Sequence, residues 1–445
     1  MCAGGGCQVN VKGSATMNKV FLATVLSAGS VFAVPHLVTT SVTQDPEKGC
    51  VAVGYMLDAP AVVTFAVEAK SPDGSWTKVG GEATAAYAGD VNRLVVPVAN
   101  VSNSFSWFPR SSWPVRMDDD TVRVVVSAWA TNAPPDYMVV DLAVSNKVEY
   151  FESSAAIPGG VGDRIYKFQR MVLRKVPAAG ATFRMGASAY ERQSGDYGSL
   201  TTETPHEVTF TSDFYLGIYE VTYGQWQTMA CPRYYAGFFT ASDPSSYLLP
   251  LTSISRYGNS DTSDGLIYRL RRTAYSWPGD GHRVGDGSAM AAFRAKTGIE
   301  FDLPTEFQWE FACRAGCDGI YHDGSSCPTN VAWARYDNET GVVPVRTQEV
   351  GLLMSNAWGF YDMLGNVAEM CLNAWNSGTP LPSEAQTDPT GEGGSQFVYR
   401  GGYWNESGTK YCRSARRGGI PTGWDSNNQH CYYGIRLAAP AMAVR

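Results

Sequence analysis

The chain has 445 residues, a length typical of two or three domains. Of these residues, 44% are hydrophobic and 17% are charged, a composition typical of a folded globular protein. Its net charge of -7 at pH 7 excludes the strongly basic surface that nucleic-acid binding requires, and no polybasic run indicates a membrane surface. We therefore expect a globular protein whose partner is not a nucleic acid.

The amino terminus contains the three parts of an export signal. Met17-Asn18-Lys19 supplies a short positive start, residues 20–28 form an apolar run, and Val31-Phe32-Ala33 offers small residues for cleavage. The run is shorter than the roughly 20 apolar residues of a membrane-spanning helix, so no transmembrane segment is predicted. We interpret residues 1–16 as an extension upstream of the true start, and no Cys follows the run to carry a lipid anchor. The sequence predicts export to the periplasm, the cell surface or the medium, with residues 1–33 as extension and signal peptide.

Residues 34–151 predict an all-β accessory domain. Short runs rich in Val, Tyr, Phe and Trp are separated by turn signals such as Pro72-Asp73-Gly74-Ser75. The predicted strands are Cys50 to Leu57, Val62 to Ala69, Trp76 to Val79, Leu94 to Val98, Val122 to Trp129 and Met138 to Leu142. About seven short strands at this spacing favour a β-sandwich of the fibronectin or immunoglobulin type. Residues 152–169 begin with a run of small and polar residues and are predicted to be a linker.

Residues 170–440 predict a second domain of short strands, loops and a few helices. Residues 288–297 consist largely of good helix formers. Another helix is expected to begin at Thr305, because Gln308 completes a capping box with it. Tyr223 is a further helix start. Together with the β-sandwich, this domain makes the expected fold class α+β.

Four motifs occur together in this second region. They are Phe301-Asp302-Leu303-Pro304-Thr305-Glu306-Phe307-Gln308-Trp309-Glu310, Gly365-Asn366-Val367-Ala368-Glu369, Arg400-Gly401-Gly402 and Gly434-Ile435-Arg436. In order and spacing they resemble the formylglycine-generating enzyme family, also called the sulfatase-modifying-factor family. The resemblance covers residues 170–440 and implies a C-type-lectin-like fold. For true enzymes of the family it also implies oxidation of a substrate cysteine to formylglycine.

The resemblance implies structural calcium at two places, held by the oxygen ligands that this ion prefers. The first implied site comprises Asn366, Val367 and Glu369. The second implied site comprises Asn330, Val331 and a residue further on, Asp337 or alternatively Asn338. The alternative is that Asn366 caps a turn and that Glu369 is an ordinary surface acid.

The sequence departs from the family at the copper site. In true formylglycine-generating enzymes two cysteines follow the Arg-Gly-Gly motif and bind copper(I), a metal that soft thiolates select. Here the first cysteine position is taken by Glu406 or a close neighbour, and Cys412 is the only cysteine between residues 403 and 416. We therefore expect no copper and no catalytic residue of that kind. Non-haem iron is not expected either, since the five histidines show no facial-triad spacing.

The remaining cysteines fit an exported protein. Removal of residues 1–33 leaves eight of the ten, and several are expected to pair in an oxidising compartment, with the connectivity open. Cys317 and Cys327 bracket a loop rich in Gly and Ser that a disulfide would close. The disulfide candidates are Cys313, Cys317, Cys327, Cys412 and Cys431. Zinc is not expected, because the chain has no CxxC pair.

Binding is the predicted function. Aromatic, Asn and Arg side chains near the C-terminus are expected to meet in ligand-facing loops and to recognise a protein, peptide or glycan. The candidate ligand-binding residues are Trp404, Glu406, Arg413, Arg416, Trp424, Asn427 and Asn428. Alternatively, the arginines pair with acids and Trp404 belongs to the core.

The sequence thus predicts an exported, calcium-stabilised ligand-binding or envelope-associated module. Two alternatives stay open. One is an oxidoreductase of the formylglycine-generating type that acts on sulfatases or on another substrate. The other is a variable display protein of a diversity-generating retroelement, because an Asn-rich segment precedes a terminal Gly-x-Arg strand.

Overall fold

A computed structural model of the protein describes most of the chain. The described residues are 7–11, 35–45, 47–79, 84–109, 121–194, 197, 200–229, 243–252, 270–271, 284–325, 327–335, 346–376, 378–391, 396–421 and 432–443. The chain divides into two compact units. Unit 1 comprises Met1–Val140, Lys147–Asp163 and Ala441–Arg445, and unit 2 comprises Asp141–Asn146 and Arg164–Pro440.

The described residues of unit 1 form mainly β-strands, together with a short 3-10 helix, Ser154–Ala156. Its strands are β1 (Cys7–Val11), β2 (Leu37–Asp45), β3 (Cys50–Leu57), β4 (Ala61–Lys70), β5 (Trp76–Val79), β6 (Tyr87–Gly89), β7 (Arg93–Val95), β8 (Asn103–Trp107), β9 (Val122–Trp129), β10 (Tyr137–Asp141) and β11 (Val148–Phe151). Strands β3, β5 and β9 begin and end where the sequence predicts them. Runs of β-branched and aromatic residues bounded by turn signals explain this agreement, because such residues favour strands.

Two sheets of unit 1 share one hydrophobic core. The first has the strand order β2-β3-β8-β6, and the second has the order β1-β9-β4-β5 with β7 paired to β4. Val53 and Tyr55 on β3 are buried in the same cluster as Phe65 on β4 and Val126 on β9. The all-β architecture expected for this part of the chain is confirmed.

Strand β1 lies inside the segment that the sequence assigns to an extension and signal peptide. It pairs antiparallel with β9, with Cys7 opposite Ala128 and Val11 opposite Val124. Residues 12–34, which contain the predicted signal, lie outside the described residues. Among the described residues, no helix has both the length and the apolar character needed to cross a membrane.

Unit 2 combines short strands with short helices. Its strands are β12 (Arg170–Val176), β13 (Thr182–Met185), β14 (His206–Thr209), β15 (Phe214–Gly217), β16 (Ala332–Trp333), β17 (Leu364–Gly365), β18 (Ala368–Trp375), β19 (Gln386–Thr387), β20 (Gln396–Arg400), β21 (Arg417–Pro421), β22 (Tyr433–Gly434) and β23 (Ala438–Pro440). Its helices are α1 (Ile165–Phe168), α2 (Ala189–Ser194), α3 (Tyr223–Thr228), α4 (Ala289–Thr297), α5 (Glu306–Arg314), α6 (Gly408–Tyr411) and the 3-10 helix Pro244–Leu248.

The three predicted helix starts are confirmed. Helix α5 has the capping box, in which Gln308 N donates to Thr305 Oγ1 at 3.1 Å and Thr305 N donates to Gln308 Oε1 at 3.0 Å. The N-cap of α4 is Ser288, and α3 begins at Tyr223. Helix α5 is largely buried and packs against β18 and β20.

A four-stranded sheet with the order β21-β20-β18-β22 brings distant charged residues together. Glu369 on β18 lies opposite Arg400 on β20, and Arg400 lies opposite Arg417 on β21. Glu369 also lies beside Gly434 of β22, two residues before Arg436. The sheet register thus places three arginines around the acids of α5 and β18.

Candidate ligand-binding site around Glu406

The Arg-Gly-Gly motif forms a close-packed turn between β20 and the candidate site. Gly401 and Gly402 have φ of 90° and 74°, a region that favours glycine. A Cβ at Gly402 would lie 2.7 Å from the Sγ of Cys412, so only glycine allows the chain to pass this thiol. Beyond the turn, Trp404 N donates to the carbonyl oxygen of Asn366 at 3.0 Å, and helix α6 follows.

The arginines of this region are held inside the fold. Arg413 lies 2.5 Å from Glu191 and 3.1 Å from Glu203, and its side chain is 1% exposed. Arg417 forms a buried pair with Glu306 at 2.6 Å. These contacts correct the prediction that Arg413 faces a ligand, because its donors are used by two buried carboxylates.

Arg400 and Arg416 are likewise bonded within the chain. Arg400 forms a fully buried ion pair with Glu310 of α5 and donates to the carbonyl oxygen of Ala415. Arg416 is half-buried; its guanidinium donates to the carbonyl oxygen of Arg417 and lies 5.3 Å from the centre of the Tyr411 ring. Of the two predicted ligand-binding arginines, Arg416 alone has an exposed portion.

The first implied calcium site does not fit its residues. Arg436 Nη2 lies 2.6 Å from Glu369 Oε1, and Trp309 Nε1 donates to Glu369 Oε2 at 2.6 Å. Asn366 Oδ1 accepts from the backbone of Gln348 at 2.9 Å. An ion here would have to take oxygens that already accept from donors and would lie against a guanidinium. Neither is Glu369 a surface acid, since its side chain is fully buried.

Two buried acids that the sequence prediction did not single out lie beside Asn366 and Glu369. Glu220 accepts from Asn366 Nδ2 at 2.7 Å and from the backbone of Val367 at 3.1 Å. Burial raises the pKa of Glu220 well above its ordinary value, and the negative charges of Asp362 and Glu369 add to that effect. Burial also raises the pKa of Asp362 to about 6.

The second implied calcium site is only partly described. Asn330 is exposed and its carbonyl oxygen accepts from Met354 N at 3.1 Å, while Val331 is buried. Asp337 lies outside the described residues. Within the described part of the chain, no group of three or more His, Cys, Asp or Glu side chains is arranged to hold a metal ion.

The four described disulfide candidates are free thiols, contrary to the expectation of pairing. They are Cys313, Cys317, Cys327 and Cys412. Cys313 Sγ instead lies 3.7 Å from Ser414 Oγ, and Cys317 Sγ lies 3.5 Å from the carbonyl oxygen of Tyr321. The fifth candidate, Cys431, lies outside the described residues.

Glu406 lies close enough to Cys412 for its charge to affect the pKa of the thiol. Cys412 is fully buried, and its pKa is raised well above the ordinary thiol value by burial and then by the Glu406 carboxylate. Burial raises the pKa of Glu406 to about 7, against the opposing effects of Arg416 and of hydrogen bonds with Tyr403. At neutral pH the thiol is therefore protonated, and the carboxyl group is close to half-ionised.

Aromatic rings surround this part of the chain. The rings of Tyr403 and Tyr432 are stacked with centroids 4.5 Å apart, and Trp404 lies 5.8 Å from Tyr432. Tyr433 lies 6.3 Å from Tyr403 and 5.2 Å from Tyr399. We call these five residues and Glu406 the aromatic cluster. Its four tyrosines were missed from the sequence, although two of them flank the Arg-Gly-Gly motif.

Trp404 is buried in the cluster, in agreement with the alternative that it is a core residue. Glu406 also belongs to the cluster and keeps its place among the candidate ligand-binding residues. The other predicted candidates, Trp424, Asn427 and Asn428, lie outside the described residues.

Comparisons with known proteins agree with the motifs. Residues 166–441 match the model of the sulfatase-modifying factor enzyme 1-like domain. The chaperone protein LppX of Paenibacillus barcinonensis is 27% identical over 187 residues, which are 38% of this chain and 65% of that protein. The formylglycine-generating enzyme of Thermomonospora curvata is 32% identical over 156 residues, which are 31% of this chain and 48% of the enzyme. The chain thus spans less than two thirds of each of these relatives.

Two solved structures are similar over most of their own length. The variable protein 1 of Treponema denticola has a TM-score of 0.43 and 23% identity, with 61% of this chain and 95% of that chain covered. PvdO of Pseudomonas aeruginosa has a TM-score of 0.40 and 21% identity, with coverage of 60% and 94%. The family match also confirms the C-type-lectin-like fold expected for residues 170–440. The chain belongs to the family of sulfatase-modifying factor enzyme 1-like proteins.

Proposed function

We propose that this chain is an exported member of the family that binds a ligand, or acts at the cell envelope, without copper-dependent oxidase activity. The observation that carries the proposal is the state of Cys412. This thiol is buried, is not ionised at neutral pH, and is the only cysteine between residues 403 and 416. Copper(I) binding in the manner of the family requires two accessible thiolates.

The neighbour of Cys412 is a carboxyl group, where the resemblance implies a thiol. Glu406 occupies the position of the first family cysteine or one close to it. A carboxylate is a hard ligand that suits magnesium, calcium or manganese rather than copper(I). The segment after the Arg-Gly-Gly motif therefore supports recognition by charge and aromatic contact better than it supports copper-based oxygen chemistry.

Export is supported by the signal-like residues 17–33. A binding role agrees with the name of the Paenibacillus relative, a chaperone protein. Calcium stabilisation is not part of the proposal at Asn366 and Glu369, because Arg436 already satisfies the Glu369 carboxylate. At Asn330, Val331 and Asp337 calcium stays a prediction of the sequence.

A second candidate function is oxidation of a cysteine in a substrate, and one observation favours it. That observation is the 32% identity to the Thermomonospora enzyme over 156 residues. A competition titration with copper(I) separates the two functions: the reduced chain is mixed with copper(I) bicinchoninate, and the loss of chelator colour is measured. The proposal expects no stoichiometric copper on the wild-type chain or on Cys412→Ser. One copper per chain that Cys412→Ser loses would favour the oxidase.

A further inference from the structure

We propose that the aromatic cluster is a recognition site for an organic ammonium group, such as the side chain of lysine or a small amine. The inference rests on the proposed binding function and names the chemical class of its ligand. It starts from an unusual feature of Glu406, a carboxyl oxygen that is buried among aromatic rings and lacks a donor.

The carboxyl group of Glu406 is only partly satisfied by the protein. Tyr403 forms hydrogen bonds with it, whereas Oε2 is buried and has no hydrogen-bond partner among the described residues. A buried acceptor without a donor is unfavourable, so native proteins normally supply one. The charge of Arg416 acts on Glu406, but the Arg416 guanidinium donates to the carbonyl oxygen of Arg417 and lies over the Tyr411 ring.

The rings of the cluster add the second element of cation recognition. Tyr403, Tyr432 and Tyr433 are half-buried, so each of these residues is partly exposed. The negative face of an aromatic ring attracts an ammonium group within about 6 Å of the ring centroid. An ammonium group that donates to Oε2 would replace the missing donor with a charge-assisted hydrogen bond.

The electrostatics of the cluster favour a cation over an anion. Burial keeps the phenols neutral by raising the pKa of Tyr399 to about 12 and the pKa values of Tyr403 and Tyr433 further. Cys412 is neutral for the same reason, which leaves Glu406 as the group whose charge changes near neutral pH. An anionic ligand would meet the Glu406 carboxylate, whereas an ammonium group is attracted to it.

Binding should therefore depend on pH. The groups that face Glu406 are the Arg416 guanidinium, the Cys412 thiol and three tyrosines. The thiol and the phenols stay neutral between pH 6 and pH 8, because burial raises their pKa values. Glu406, with a pKa of about 7, changes from mostly neutral to mostly ionised over this range. We expect the affinity for an amine to be about tenfold higher at pH 8 than at pH 6.

Isothermal titration of the full chain tests the inference. The probe is Nα-acetyl-lysine methylamide, compared with the uncharged Nα-acetyl-norleucine methylamide and with methyl glucoside. The variants are Glu406→Gln, which removes the charge and keeps the shape, and Tyr432→Leu, which removes a half-buried ring. Glu384→Gln, at an exposed position in another part of unit 2, is the matched control.

We expect the lysine derivative alone to bind, with at least about tenfold weaker binding to Glu406→Gln and Tyr432→Leu and no change in Glu384→Gln. Equal binding of norleucine or the glucoside, unchanged binding by Glu406→Gln, or no binding of lysine at millimolar concentration would overturn the inference. Thermal melts show whether Glu406→Gln or Tyr432→Leu fails to fold. If one of them does, the binding measurement on the other tests the inference. Aldehyde formation on a cysteine peptide would refute the proposed function instead, so the two failures are distinguishable.

Discussion

Glu369 and Arg436 form an ion pair that lies entirely inside unit 2, with Arg436 Nη2 2.6 Å from Glu369 Oε1 and both side chains 0% exposed. The same guanidinium donates to the carbonyl oxygens of Gly217 at 2.9 Å and Tyr361 at 2.8 Å. Arg436 thus joins three segments that are far apart in the chain. The Glu of the family motif is a structural residue in this protein.

Loss of the Glu369 charge should destabilise the protein strongly. Glu369→Gln leaves the Arg436 guanidinium buried without its counter-charge, which typically costs about 3–5 kcal/mol. Urea unfolding followed by circular dichroism measures this change in the free energy of unfolding. The control is Glu384→Gln, an exposed acid whose replacement should change the value by no more than about 0.5 kcal/mol. A loss for Glu369→Gln as small as that of the control would show that the pair is not formed.

Calcium at Asn366 and Glu369 should contribute nothing to the stability of unit 2. Because Arg436 and Trp309 already donate to the Glu369 carboxylate, we expect EDTA to leave the melting temperature of Asp337→Ala, which lacks the acid of the second implied site, unchanged. Calorimetry with and without EDTA makes the measurement, and added magnesium controls for nonspecific ion effects. A melting temperature that falls with EDTA and recovers with calcium would restore the calcium prediction.

The free energy of unfolding should depend on pH because Glu406 has different pKa values in the folded and unfolded chain. Its pKa is about 7 in the folded chain and 4.5 ordinarily, so the folded state holds a proton that the unfolded state releases between these values. The stabilising contribution is complete below pH 4.5 and is lost as the pH rises through 7. Relative to Glu406→Gln, the wild type should lose on the order of 2 kcal/mol between pH 5 and pH 7.5.

Urea unfolding of both proteins across that pH range tests the prediction. Asp362, whose pKa is raised to about 6, contributes a change of the same sign, but it is present in both proteins and cancels in their difference. Parallel pH profiles for the wild type and Glu406→Gln would mean that Glu406 titrates normally.

The thiols should differ in reactivity according to burial. Alkylation requires a thiolate that the reagent can reach, and burial raises the pKa of Cys313 to about 12. Cys412 is fully buried, whereas Cys317 and Cys327 are partly exposed. We expect iodoacetamide at pH 8 to modify Cys317 and Cys327 well before Cys412, as measured by peptide mass spectrometry. Modification of Cys412 at the rate of Cys317 would contradict its assigned burial.

Local features of this fold were predictable because their determinants are close in sequence. The start of helix α5 depends on Thr305 and Gln308, which are three residues apart and cap each other. Strand β3 follows from an alternating apolar pattern within eight residues. The family was recognisable for the same reason, since each motif is a short contiguous run.

The roles of the charged side chains were not predictable, because their partners are distant in sequence. Arg413 is bonded to Glu191 and Glu203, which precede it by 222 and 210 residues. Sequence composition does not distinguish an arginine that is buried against acidic residues from an arginine that binds a ligand. Glu406 was identified by its motif position, but its electrostatic contact with Tyr433 depends on how β22 pairs with β18.

The measurement that tests the central claim most directly is aldehyde formation on a sulfatase-type peptide. The reduced chain, supplied with copper and oxygen, is incubated with a cysteine peptide, and the peptide mass is measured, with the Thermomonospora curvata enzyme as positive control. Because Cys412 is the only thiol in the segment and is buried, we predict that the cysteine stays unmodified while the control converts it. Catalytic conversion by this chain, abolished in Cys412→Ser, would contradict the account.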